Sequence, residues 1–118
     1  MGGKHSRQKG KRGELEVVHL LNEWIPWLHA RRGANQSRDG SDSADVEGTP
    51  YWLEVKRTKQ RPNVHAAYEQ AVEATDGRPP LVFTRTDGGK WLVTMEFEDF
   101  IRTFSRIDFL YPLEKGDD

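Results

Sequence analysis

The 118-residue sequence contains no cysteine, which removes disulfides and cysteine-ligated zinc from consideration. Nowhere does an apolar run approach the roughly 18–20 residues that a membrane-spanning helix needs. The N-terminus is basic, but no apolar segment follows it as one would in a secretory signal. Hydrophobic residues make up only 35% of the chain against 31% charged. The apolar residues recur at regular spacing, so a folded body with polar ends is expected rather than a disordered chain. The length fits one domain with its own core. These absences set the expectation of a protein without membrane partners, located in the cytoplasm.

A net charge of -1 conceals an uneven distribution. Residues 1–62 carry 12 Lys/Arg against 8 Asp/Glu, whereas residues 63–118 carry 6 against 11. The cations fall in three clusters: Lys4, Arg7, Lys9, Lys11 and Arg12; Arg31, Arg32 and Arg38; and Lys56, Arg57, Lys59 and Arg61. Clustered cations beside structured segments suit a polyanionic partner, although a merely solvated surface has the same composition.

Residues 1–10 read as a basic flexible tail, 11–113 as a single domain and 114–118 as an acidic tail. A helical pattern begins near Lys11 and includes Val17, Val18, Leu21, Trp24 and Ile25. Pro26 should end or kink it near Trp24. Trp27–Arg31 reads as a short strand and residues 32–43 as a polar loop. Two strands are expected at Ala44–Glu47 and Tyr51–Thr58, joined by a turn at Gly48-Thr49-Pro50. A second helix should run from Val64 to Thr75. Strands Leu81–Thr86 and Trp91–Met95 flank the hairpin signal Asp87-Gly88-Gly89, and a last helix covers about Phe97–Phe104. This order implies an α/β fold, a central mixed sheet flanked by helices.

Strand alternation puts Glu54 and Lys56 on one face and Leu53 and Val55 on the other. Taken alone, Glu-x-Lys is also what a surface ion pair looks like. Asp45, at the start of the preceding strand and across a tight turn, can approach Glu54 if the strands pair. Two close carboxylates repel unless a cation or a proton lies between them. A hard divalent cation with oxygen ligands satisfies them, and Lys56 beside it can face a phosphate. Glu14 shares a helix face with Val17, Val18, Leu21, Ile25 and Leu28, where a carboxylate is costly unless paired or metal-bound. A first-turn acid that favours the helix dipole is the alternative reading. Glu16 projects elsewhere and reads as ordinary surface.

Gly13-Glu14, Ala44-Asp45-Val46, Leu53-Glu54-Val55-Lys56 and a following helix with Gln70 together resemble the PD-(D/E)xK nuclease superfamily. Within it, the small chain and early glutamate look most like archaeal-type and phage Holliday junction resolvases, with the resemblance spanning about Lys9 to Met95. It implies a restriction-endonuclease-like core and a homodimer that resolves four-way DNA junctions by paired symmetric nicks, in the host cytoplasm if the chain is phage-encoded. It further implies that Glu14, Asp45 and Glu54 bind Mg2+, for which Mn2+ can substitute, together with the main-chain carbonyl of Val55. Lys56 would orient the attacking water and stabilise developing charge, and Gln70 would support the site or touch DNA. The proline that usually precedes the aspartate is Ala44 here. That difference leaves the ligands intact but weakens placement within the superfamily. Another endonuclease of the same superfamily, restriction-like or a repair nickase, and a non-catalytic DNA-binding module are the alternatives.

Lys9, Lys11, Arg12, Arg31, Arg32, Gln36, Arg38, Arg57 and Lys59 are the expected DNA contacts, mainly to phosphates, which would make binding strongly salt-dependent. A flexible connector is the plain alternative for residues 31–38. The four histidines show no metal-ligand spacing. Trp24, Trp27, Trp52 and Trp91 are expected mostly in the core. Phe100, Phe104, Phe109, Leu110 and Tyr111 form an apolar C-terminal cluster, either a dimer interface or a helix docking on the sheet.

Overall fold

The computed structural model describes residues 2–33 and 43–110, with side chains described for 10–33 and 43–106. Helix α1 (Gly2–Trp24) is followed by a 3-10 turn (Pro26–Leu28) and strands β1 (Arg31–Arg32), β2 (Val46–Glu47) and β3 (Trp52–Thr58). Helix α2 (Val64–Ala74), strands β4 (Pro80–Thr86) and β5 (Leu92–Thr94) and helix α3 (Phe97–Leu110) complete the chain. The five strands lie in sequence order in one sheet. Only β3 and β4 run parallel, joined through α2; the other neighbours are antiparallel. The mixed, helix-flanked α/β sheet expected from the sequence is the fold observed.

Two helices cover opposite faces because β3 alternates. Leu53 and Val55 point to one face and pack with Val17 and Val18 of α1, Ala30 and Val46. Trp52 points to the other, with Ala44, Val82 and the α2 residues Ala67 and Ala71. Trp52, Leu53, Val17, Val46 and Val82 are fully buried. Small alanines on α2 leave room for the indole of Trp52, which also lies 5.3 Å beneath the Arg78 guanidinium. Asn63 caps α2, its side-chain oxygen accepting from the Ala66 N–H at 3.0 Å.

Local chemistry fixes the route from α1 into the sheet. Pro26 has no N–H to continue the helical ladder, and α1 stops at Trp24 as expected. His29 then adopts a left-handed conformation (φ 54°). The Asn22 side chain grips the main chain of Ala30, donating to its carbonyl at 2.9 Å and accepting from its N–H at 2.7 Å. Gly48, at φ 107°, passes 3.0 Å (measured from an added Cβ) from the Ala30 Cα, a place no side chain fits. Together these contacts set β1 beside β2.

Several expectations are corrected. α1 begins at Gly2 rather than near Lys11, so the segment read as a flexible tail is helical; its Lys, Arg and Gln residues are good helix formers. The strand expected at Trp27–Arg31 is replaced by the 3-10 turn and a two-residue strand, because Pro26 favours a helical turn start. Trp24 and Trp27 are 78% and 76% exposed, not core: Trp24 stands at the rim of an apolar groove with Val17, Leu21, Phe83 and Trp91, and Trp27 lies on the 3-10 turn beyond α1. α3 extends to Leu110, beyond the expected end at Phe104.

Candidate functional site

β2 pairs with β3 through one register pair, Val46 with Leu53. One residue before that pair, Asp45 comes alongside Leu53 and Glu54 where the ladder ends. Beyond Leu53 the strands part. The Asp45 N–H still donates to the Leu53 carbonyl at 2.9 Å. The next β3 donor, the Val55 N–H, goes to the Asp45 carboxylate at 2.8 Å. A side-chain oxygen thus stands where a strand carbonyl would be, and it pins Asp45 at the split.

Glu54 lies beside it on β3, its Oε2 accepting from the indole N–H of Trp52 at 2.9 Å. Glu14 enters from α1, 9% exposed, and its Oε1 accepts from Arg32 Nε at 2.7 Å. Burial pushes all three carboxyls above the ordinary carboxylate range. The charge of Asp45 raises Glu14 and Glu54 further. Asp45 and Glu54 lie close enough to titrate as one pair, both raised by burial. Opposing these, the Lys56 ammonium lowers all three. Glu14, Asp45, Glu54 and Lys56, far apart in sequence, therefore act on one another as a single electrostatic group. Comparisons with protein-family models, curated proteins and solved structures found no match.

Among the described residues, no group of three or more acidic or histidine side chains is arranged to hold a metal ion. Each carboxylate is turned to a donor of the protein instead: Glu14 to Arg32, Asp45 to the Val55 amide and Glu54 to Trp52. The donor set itself suits a hard dication: oxygens only, carrying excess negative charge that burial and repulsion make costly.

Gly13 makes the approach of Glu14 possible. A Cβ there would meet Arg57 Cβ at 3.0 Å and Val55 Cγ1 at 3.3 Å, so α1 lies against β3 at a distance only glycine permits. Gly13→Ala is expected to cost about 1–3 kcal/mol by overpacking. Urea unfolding checks this, and an unchanged midpoint would show that the helix can retreat freely.

Glu16, read as ordinary surface, is the hub of a second polar cluster. It accepts from Arg85 at 2.7 Å and from the Trp91 indole at 3.2 Å, and lies 3.4 Å from Arg57. Arg57 and Arg85 are register partners on β3 and β4; their like charges side by side require an anion. Arg57 is thereby engaged in the fold rather than presented to a ligand, with its Nε buried and lacking a hydrogen-bond partner. Lys11, Arg12, Arg31 and Lys59 are exposed and make no ion pair among the described residues. Gln70 is exposed on α2 and donates no hydrogen bond to the acidic group. The side chains of Lys9, Gln36 and Arg38 lie outside the described residues.

Proposed function

We propose that the chain is a Mg2+-dependent DNA endonuclease that resolves four-way junctions, with Mn2+ able to replace Mg2+. The observation that carries this reading is the gathering of Glu14, Asp45, Glu54 and Lys56, from three elements, at the split between β2 and β3. Asp45 and Glu54 would hold the cation with the Val55 main-chain oxygen, and Glu14 would complete the set. Magnesium bound there supplies Lewis acidity and a more acidic water. Lys56, two residues from Glu54 on the same face, orients the attacking water and balances charge developing on the phosphate oxygens. The sheet and two helices hold these groups on rigid elements, as accurate positioning requires. Lys11, Arg12, Arg31 and Lys59 offer cations to the duplex arms, a contact by charge and shape rather than by base sequence.

A second copy would supply the second cut. α3 supports this, because its apolar face is turned outward. Phe97, Phe100, Ile101 and Phe104 are 70%, 47%, 40% and 52% exposed, while Thr103 meets the body through the Tyr51 hydroxyl at 3.0 Å. The Phe100 and Phe104 rings stack at 5.8 Å. The edge strand β5 adds Leu92 and Val93, also more than half exposed. Three outward Phe side chains alone expose on the order of 250–400 Å² if each is worth about 150–250 Å², a substantial part of the ~800 Å² per partner of a stable interface. Sedimentation is expected to give a dimer that Phe100→Asp reduces to monomer. A wild-type monomer at high protein concentration would remove this element.

Cleavage of a labelled four-way junction and of linear duplex with the same sequence, in Mg2+ and in EDTA, tests the whole reading. Paired symmetric nicks in the junction alone, dependent on Mg2+, are expected. Equal cutting of duplex would make the chain a general endonuclease of the same type. Tight junction binding without any cutting would make it a DNA-binding module.

A further inference from the structure

Contacts other than the Arg32–Glu14 ion pair already position both of its elements. β1 is set by the grip of Asn22 on Ala30 and by pairing with β2. α1 is set by Val17 and Val18, both buried against β3. The pair is short but rests on one donor, and its guanidinium still reaches solvent. Only Nε donates to Glu14, at 2.7 Å, and the Arg32 side chain is 33% exposed against 11% for Glu14. The terminal guanidinium nitrogens make no hydrogen bond among the described residues. A single-donor pair leaves one Glu14 oxygen uncommitted to Arg32, so a more highly charged cation can compete for the carboxylate.

Glu14 cannot simply be left alone if Arg32 departs. It is buried, and the charge of Asp45 acts on it unfavourably. Another cation or a proton must take over. A dication, harder and more highly charged than guanidinium, is the natural successor at an all-oxygen site.

Resting on the metal-dependent reading above, we infer that Arg32 is a displaceable counter-ion that occupies Glu14 in the metal-free protein and yields it to the divalent cation. Glu14 then has two alternating partners, and its recruitment completes a site that Asp45 and Glu54 begin. This accounts for a carboxylate group that is assembled yet not in coordinating positions.

The test uses the full chain without DNA. Mn2+ binding is followed by electron paramagnetic resonance, and the Arg32 side-chain Nε–H is followed by NMR during Mg2+ titration. Arg32→Gln removes the competing cation, and its Mn2+ affinity is expected to rise about tenfold. Arg32→Lys, which keeps the charge, should stay near the wild type. In the wild type the Arg32 Nε–H signal is expected to shift and to exchange faster with water as Mg2+ is added. That readout does not depend on whether the glutamine variant folds. Mn2+ binding to the wild type with no change in the Arg32 signal, and with equal affinity in the variants, would overturn the inference and leave the metal site standing. No Mn2+ binding by the wild type would remove the metal site, and the inference with it.

Discussion

Replacing Lys56 by alanine is expected to lower single-turnover cleavage of a four-way junction by about 10²–10⁴-fold, the usual loss for a group that moves a proton or balances charge in the transition state. Lys56 acts electrostatically on Glu14, Asp45 and Glu54 together. It stands on β3 beyond the split from β2, paired with Thr84 of β4. Glu54→Gln keeps the side-chain volume and an acceptor for the Trp52 indole, and it should cost a similar factor. In both variants the junction should still be bound with Kd changed less than about tenfold, because other cations carry that contact. Gel-shift and quenched-flow measurements on one preparation separate the two quantities. Binding that falls in step with cutting would mean that these residues hold DNA rather than transform it.

Trp52→Ala should remove about 3–5 kcal/mol of stability, much of the 5–15 kcal/mol that holds a domain of this size together. The ring is 1% exposed and fills the space between α2 and the sheet. Because its N–H also aims Glu54, the same change strikes the candidate site. Trp52→Phe separates the two roles, keeping most of the volume while leaving the carboxylate without its donor. Thermal or urea unfolding of both variants checks the division. Equal losses for phenylalanine and alanine would mean that the hydrogen bond, and not the packing, dominates.

The part of this arrangement written most clearly in the sequence is what strand alternation controls. Period two alone puts Glu54 beside Lys56 and opposite to Leu53 and Val55, and the short turn after Glu47 brings Asp45 alongside Leu53 and Glu54. Helix periodicity likewise places Glu14 on the buried face of α1. Gly13 was visible as part of the motif, though not the reason for it, which is a helix-to-strand distance. Glu16 was not legible, because its partners Arg85 and Trp91 lie 69 and 75 residues away. Two arginines brought side by side on parallel strands were the available hint, and reading it requires the register of β3 against β4. Trp24 and Trp27 show a different limit. Apolar spacing says which residues share a face, but not where the sheet beneath that face ends. α3 shows the same limit in reverse, since its pattern names the apolar face without saying that the face turns outward.

The bond from the Asp45 carboxylate to the Val55 amide means that one atom serves both the sheet and the acidic group. Natural selection for heat resistance would act on that atom against its charge. An asparagine at this position keeps an oxygen for the Val55 N–H while removing the cost of burying the Asp45 charge and its repulsion of Glu54 and Glu14. Thermal endurance and a charged cluster thus compete at a single side chain, a familiar conflict between stability and activity. A lineage of this fold released from the need for charge would be expected to drift toward the amide here first, keeping the architecture and losing its reactivity.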